Sequence, residues 1–217
     1  MVDAVVFDLD GVIVDSEPVW EEVRRAYVAE HGGTWQADTQ RRLMGMSTGE
    51  WSRYLSAELG VGRSPEQVAT EVVEEMTRRY AARVPVIDDA PAVVRRLAAR
   101  WPLGLASSSP TRLIAAALAA TDLTDQFRAT LSTEETEQGK PAPDVYLAVA
   151  RRLGVDPARC VAVEDSSNGV RSAAAAGMAV VAIPHGAYPL DDDAAELAAV
   201  VLGSVDELTT ETVDRLG

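Results

Sequence analysis

Short runs of consecutive apolar residues stand out along the chain at Ala4-Val5-Val6-Phe7-Asp8, Leu103–Ser107, Cys160–Glu164 and Ala179–Ile183. Each is too short for a helix, and the first three end in a polar residue, the pattern of a strand covered on both faces. Ala129–Leu131 and Val200–Leu202 are weaker candidates of the same kind. Between these runs, apolar residues recur at helical spacing over 91–100, 110–121, 143–153 and 167–176. Strands alternating with helices predict an α/β fold on a Rossmann-like, largely parallel sheet.

Residues 15–84 break that rhythm, with no convincing strand and three good helix starts. Ser16 precedes Glu17-Pro18 and a helical pattern that stops at Gly32-Gly33. Ser47-Thr48-Gly49-Glu50 and Ser64-Pro65-Glu66-Gln67 are capping-box patterns, and Pro65 suits a first helical position. The expected division is an α/β core of residues 1–14 and 85–217, interrupted by a helical cap at 15–84. No repeat or Gly/Ser-rich linker is visible, so the hinges should be short, near Val14–Ser16 and Val84–Asp88.

Composition narrows the chemistry. With 217 residues and 47% hydrophobic content, the chain can bury a full core. A single cysteine, Cys160, excludes an internal disulfide framework and a multi-cysteine zinc site. Two histidines, His31 and His185, are too few for a histidine metal cage. No apolar run approaches the roughly 18 residues of a membrane span. The opening MVDAVVFDLD has no basic lead and carries acids in its apolar run, so no secretory signal and a cytoplasmic location are expected. The net charge of −14 argues against nucleic acid and anionic membranes as partners. Of 20 basic residues only Lys140 is a lysine. A lysine kept among arginines suggests a place where a compact ammonium fits and a guanidinium fork does not.

In open parallel sheets, ligands bind beyond the carboxyl ends of the strands. The strand exits here read Asp8-Leu9-Asp10-Gly11-Val12, Ser107-Ser108-Ser109-Pro110 and Glu164-Asp165-Ser166, and Lys140-Pro141 precedes another helix. Asp8 and Asp10, two apart, should point the same way from an extended chain. Carboxylates so crowded cannot all ionise unaided. A hard divalent cation resolves this, and oxygen-only donors select Mg2+ or Ca2+ over zinc. Four carboxylates and one lysine leave a formal −3, which one Mg2+ brings to −1. Blander readings exist for each motif. Asp-x-Asp-Gly occurs in calcium loops, although an EF-hand spaces its acids differently and lies between helices. One of the three serines could cap the helix after Pro110, the Glu164-Asp165 pair could cap the next, and Lys140 could be a solvated loop residue.

Taken in order, Asp8-Leu9-Asp10-Gly11-Val12, Ser107, Lys140-Pro141 and Glu164-Asp165 resemble the four motifs of the haloacid dehalogenase-like superfamily. The helical insert resembles the C1 cap of the subgroup that includes β-phosphoglucomutase and many small sugar-phosphate phosphatases. The resemblance implies Asp8 as a nucleophile that takes a phosphoryl group, and Asp10 as general acid and base whose backbone carbonyl also binds metal. It implies that Ser107 and Lys140 hold phosphoryl oxygens and that Glu164 and Asp165 position Mg2+, Asp165 directly. Ser108 and Ser109 beside them, and Trp20, Gly45 and Thr48 in the cap, are the expected substrate contacts. An acid at position 10 disfavours carbon–halogen cleavage, because a leaving halide needs no proton.

The resemblance implies a Mg2+-dependent phosphatase of a small phosphomonoester, a sugar or polyol phosphate, acting through an aspartyl-phosphate as a monomer. A β-phosphoglucomutase-type mutase is the alternative. Mutases of that type carry a cap arginine where this chain has Thr48, and a histidine where it has Trp20. Arg41, Arg42 or Arg53 could replace that arginine, and Trp20 could serve cap packing instead. A non-catalytic module that binds a phosphorylated metabolite is a further alternative, although no expected catalytic position is degraded.

Overall fold

A computed structural model describes residues 1–44, 46–184 and 188–217. Six parallel strands form one sheet in the order β3-β2-β1-β4-β5-β6. They are β1 (Ala4–Phe7), β2 (Leu103–Ser107), β3 (Phe127–Ser132), β4 (Cys160–Glu164), β5 (Ala179–Ala182) and β6 (Val200–Val201). β1, β2 and β4 are buried along their whole length. That burial explains why they read as unbroken apolar runs rather than alternating ones.

Alternate residues nevertheless serve different layers. Val5 and Phe7 join one hydrophobic cluster while Ala4 and Val6 join another, as the two-residue repeat of a strand requires. The first layer holds α5 (Ala90–Ala98) and α6 (Thr111–Ala120), through Val93, Val94, Leu97, Leu113 and Ile114. The second holds α7 (Asp144–Leu153) and α8 (Ser167–Ala175), through Val145, Tyr146, Val149, Val170 and Ala173. Two short helices, α9 (Asp192–Leu197) and α10 (Thr210–Asp214), complete the chain. The order reverses between β1 and β4, so the crevice at their carboxyl ends is the natural ligand site.

Between β1 and β2 the chain forms α1 (Glu17–Glu30), α2 (Thr39–Leu43), α3 (Thr48–Ala57) and α4 (Pro65–Ala82). The expected starts hold: α3 and α4 open on Ser47 and Ser64 with both halves of the capping box in place. α2 has no counterpart in the sequence reading. Trp20, Tyr27, Leu43, Trp51, Leu55, Val72 and Met76 pack this layer together, and its apolar cluster runs without a break into Leu9, Val12 and Ile13. The chain enters and leaves this layer side by side. Val14 and Val86 pair as an isolated antiparallel bridge. Asp15 N donates to Pro85 O at 2.7 Å, and Ile87 N to Ile13 O at 3.0 Å.

Candidate active site

The floor of the site lies where β1 and β4 end. Asp8 follows β1, Glu164 ends β4 and Asp165 comes next. Lys140 reaches between them, 3% exposed. Its Nζ donates to Asp8 Oδ1 at 2.7 Å, Glu164 Oε1 at 2.6 Å and Ala106 O at 3.0 Å. An ammonium has three hydrogens, and all three are used. Burial works against the charge on Lys140, but Asp8 and Glu164 outweigh it and raise its pKa. The solvated-loop reading of this lysine therefore fails.

Glu164 is fully buried and held on both oxygens. Oε1 accepts from Lys140 and from Tyr146 OH at 2.6 Å. Oε2 accepts from Asp165 N at 3.1 Å, Ser166 N at 3.4 Å and Ser166 Oγ at 3.3 Å. Gly169 is required here, since a Cβ on it would lie 1.9–2.0 Å from that carboxyl group. Gly11 is required for a similar reason. Its φ of +76° suits glycine, and a Cβ would come within 2.0 Å of Asp165 Oδ2. The cap of α8 falls to Ser166, which accepts from Gly169 N, so the Glu164-Asp165 pair does not cap that helix.

Burial pushes the Asp8 carboxyl well above its usual pKa; Lys140 pulls it back, and Glu164 and Asp10 add to the rise. Burial raises Asp165 as well, reinforced by Glu164 and Asp8. Asp8, Glu164 and Asp165 each offer an oxygen, all within 4.8 Å of one another. Three buried carboxylates facing one lysine form a site short of positive charge. A hard, oxygen-preferring divalent cation fits that donor set.

Asp10 lies beyond the end of β1 at Phe7 and stands outside the cluster of Asp8, Glu164 and Asp165, though it lines the same cavity as Asp8. It accepts from Ser107 Oγ at 3.1 Å, Ser109 Oγ at 2.8 Å and Ser16 Oγ. Ser107 Oγ in turn accepts from Ser109 N at 3.0 Å. None of the three serines caps α6: its cap position is Pro110, which has no side-chain donor or acceptor. Ser108 and Ser109 line the cavity above Asp8, whereas Ser107 is buried beneath it.

The helical layer closes this cavity with Glu17, Trp20 and Arg24 from α1, Leu43 and Met46 from the α2–α3 segment, and Trp51 from α3. Trp20 meets Trp51 with ring centroids 5.9 Å apart, so it both packs the layer and faces the site. Thr48 opens α3 but lines a different hollow, beside Pro110, Arg112 and Glu134. Gly45 lies outside the described residues. None of Arg41, Arg42 or Arg53 lines the cavity; Arg42 pairs with Asp38 at 2.7 Å. The arginine that reaches the site is Arg24. Sequence reasoning missed it, although its position one turn after Trp20 was a signal. Tyr146 was missed too, and its signal was a tyrosine inside an apolar helix that needs a partner for its hydroxyl.

The family model for haloacid dehalogenase-like hydrolases matches residues 2–177. The chain belongs to that family. The match extends to curated relatives over most of their length. Hexitol phosphatase B of Escherichia coli (strain K12) is 35% identical over 99% of this chain and 96% of its own. A phosphorylated carbohydrates phosphatase of Thermotoga maritima is 34% identical over 81% of this chain and 82% of its own. The crystal structure of a β-phosphoglucomutase from Clostridium difficile superposes with a TM-score of 0.86, over 100% of this chain and 97% of that one. At 21% identity, that likeness speaks for the fold. The enzyme is thus a hydrolase on a Rossmann-like α/β fold, with a buried acidic cluster at the switch point of its sheet.

Proposed function

We propose that this member of the haloacid dehalogenase-like hydrolases is a phosphatase that cleaves a sugar or polyol phosphate through an aspartyl-phosphate. The observation that carries the reading is Lys140, locked to both Asp8 and Glu164 at the ends of adjacent strands. It fixes Asp8 through Oδ1. Asp8 lines the cavity, and its Oδ2, the oxygen that Lys140 does not hold, serves as the attacking atom in this reading.

In this reading Asp8 attacks phosphorus, and the ester oxygen leaves with a proton from Asp10. Water then attacks the acyl phosphate, Asp10 takes its proton, and inorganic phosphate and Asp8 are released. Asp10 must turn from Ser16 and the serines of the β2 exit to reach the leaving oxygen. Ser108, Ser109 and the buried Ser107 order the phosphoryl side, and Lys140 offsets charge there. Members of the family generally use a divalent metal, and Mg2+ is the proposed one. Asp8, Asp165 and the Asp10 backbone carbonyl would hold it, and bound there it would supply charge neutralisation at the phosphoryl oxygens. Glu164, with both oxygens taken, positions Lys140 and Asp165 instead.

Residues 15–84 are proposed as a cap over a core of residues 1–14 and 85–217. The cavity between them measures only about 40 Å3, far below the roughly 300–1,000 Å3 of small-molecule sites. The layer must therefore move to admit substrate. The arginines 41, 42 and 53, the candidates for a mutase clamp, do not line the cavity, so the phosphatase reading is preferred. Among the described residues no helix is long and apolar enough to cross a membrane, and the expected partner is a small phosphate ester bound by a monomer in the cytoplasm.

Phosphate release from hexose, hexitol, nucleotide and amino-acid phosphates, with and without Mg2+, tests the reading. Hexose or hexitol phosphates should lead, and excess chelator should silence turnover until Mg2+ is restored. Asp8→Asn should lower kcat by more than about a thousandfold, roughly 4 kcal/mol, with secondary structure intact. Full activity in chelator, or an active Asp8→Asn protein, would overturn it.

A further inference from the structure

The reaction proposed above uses the floor of the site and leaves a charged side chain in the roof unexplained. Arg24 is 4% exposed. Its guanidinium carbon sits 4.4 Å from the Trp20 ring centroid and 5.0 Å from that of Trp51. Among the described residues its Nε is buried with no hydrogen-bond partner, and no carboxylate lies within ion-pair distance. Cation–π contact offsets part of the cost of burying this charge, but it satisfies no N–H. Gln40 Nε2 donates to Glu17 Oε2, and Gln40 Oε1 is buried with no donor among the described residues. Glu17 and Arg24 both line the cavity over Asp8. The roof thus holds an unused donor on Arg24, packed against indole faces, and the Glu17 carboxyl, backed by a Gln40 whose Oε1 is itself unpaired among the described residues.

We propose that Arg24 and Glu17, backed by Gln40 and flanked by Trp20, form a hydroxyl-binding subsite that selects sugar and sugar-alcohol phosphates. This rests on the phosphatase reading and names the part of the substrate that the roof grips. A hydroxyl can accept from Arg24 while donating to Glu17, and neighbouring hydroxyls can span the pair. The C–H face of such a chain suits an aromatic ring. A second anionic group is the competing occupant of Arg24, and the test below includes one. A substrate without hydroxyls leaves the buried polar groups unpaired, which makes such a site strongly selective.

The test compares kcat/KM for D-glucitol 6-phosphate and n-hexyl phosphate, which has the same carbon count and no free hydroxyl. The comparison is made in the wild-type enzyme, Arg24→Lys and Arg24→Met, with melting temperatures recorded. Arg24→Lys keeps stem and charge and loses the fork, so it covers the case in which Arg24→Met fails to fold. The wild type should favour glucitol 6-phosphate, and the preference ratio should fall about 10- to 100-fold in both variants. An unchanged ratio with a lower melting temperature would make Arg24 a packing cation and overturn the proposal. So would a wild-type preference for gluconate 6-phosphate that the variants lose, since that marks an anion clamp. Hydrolysis of hexyl phosphate without any preference would overturn the subsite and leave the phosphatase standing. Release from none of the three would overturn the phosphatase reading itself, and the subsite with it.

Discussion

The floor and the roof of the cavity are built on opposite terms. In the floor, Lys140 uses all three hydrogens and Glu164 accepts from five donors. In the roof, buried polar atoms go unpaired. Arg24 Nε and Gln40 Oε1 are buried without a hydrogen-bond partner among the described residues. Saturated hydrogen bonding fixes atoms in place, as chemistry on phosphorus demands. Unpaired groups hold interaction energy in reserve for a ligand. The difference assigns reaction to one wall and selection to the other.

The largest break should come from the floor. Lys140→Met leaves Asp8 and Glu164 buried without their counter-charge. Removing one member of a buried ion pair costs about 3–5 kcal/mol, so chemical denaturation should show a loss of that order, together with loss of turnover. A small change in both would mean that the floor tolerates unpaired charge after all. Gly169→Ala is gentler. Its Cβ would press on a carboxyl group that five donors hold in place, so Glu164 must shift and carry Lys140 with it. A kcat reduced about 10- to 100-fold in a folded protein is expected, and wild-type kcat would show that Glu164 is not a positioning group.

The smallest effect belongs to the roof and is read by pH. Burial, partly offset by Arg24 and reinforced by Asp10, pushes the Glu17 carboxyl from 4.5 up to about 7. The folded protein therefore holds a proton at Glu17 that the unfolded chain has lost between those values. Stability should fall as pH rises across that window and level off above it. Comparing Glu17→Gln with the wild type by urea denaturation from pH 4 to 8 isolates the effect: the wild-type advantage should shrink with rising pH. A difference that stays flat would place Glu17 among ordinary carboxylates.

How far the sequence foretold each wall follows from the same contrast. The sheet was legible because strands buried on both faces leave continuous apolar runs, such as Val5–Phe7 beside Val161–Val163. The floor was legible because its residues sit directly at strand ends. The hydroxyl partners of Asp10 were not, since Ser16, Ser107 and Ser109 come to it from separate parts of the chain. The short α2, Thr39–Leu43, carries two adjacent arginines and little apolar signal. Arg24 carries only one mark in the sequence, its place one turn after Trp20. Only when α3 lays Trp51 across it does it become a buried cation. That contact joins residues far apart in the chain, which no local pattern encodes.

The bridge between Val14 and Val86 has a consequence for descent. A chain that departs from a sheet and rejoins it through hydrogen-bonded neighbours leaves no gap to span when the intervening segment changes. Ile13–Asp15 and Pro85–Ile87 already lie in register, so longer, shorter or differently folded insertions can be spliced at that point at little entropic cost. Lineages built on one catalytic sheet can therefore trade roofs, and acquire new substrates, while Asp8, Lys140 and Glu164 pass unaltered from parent to offspring.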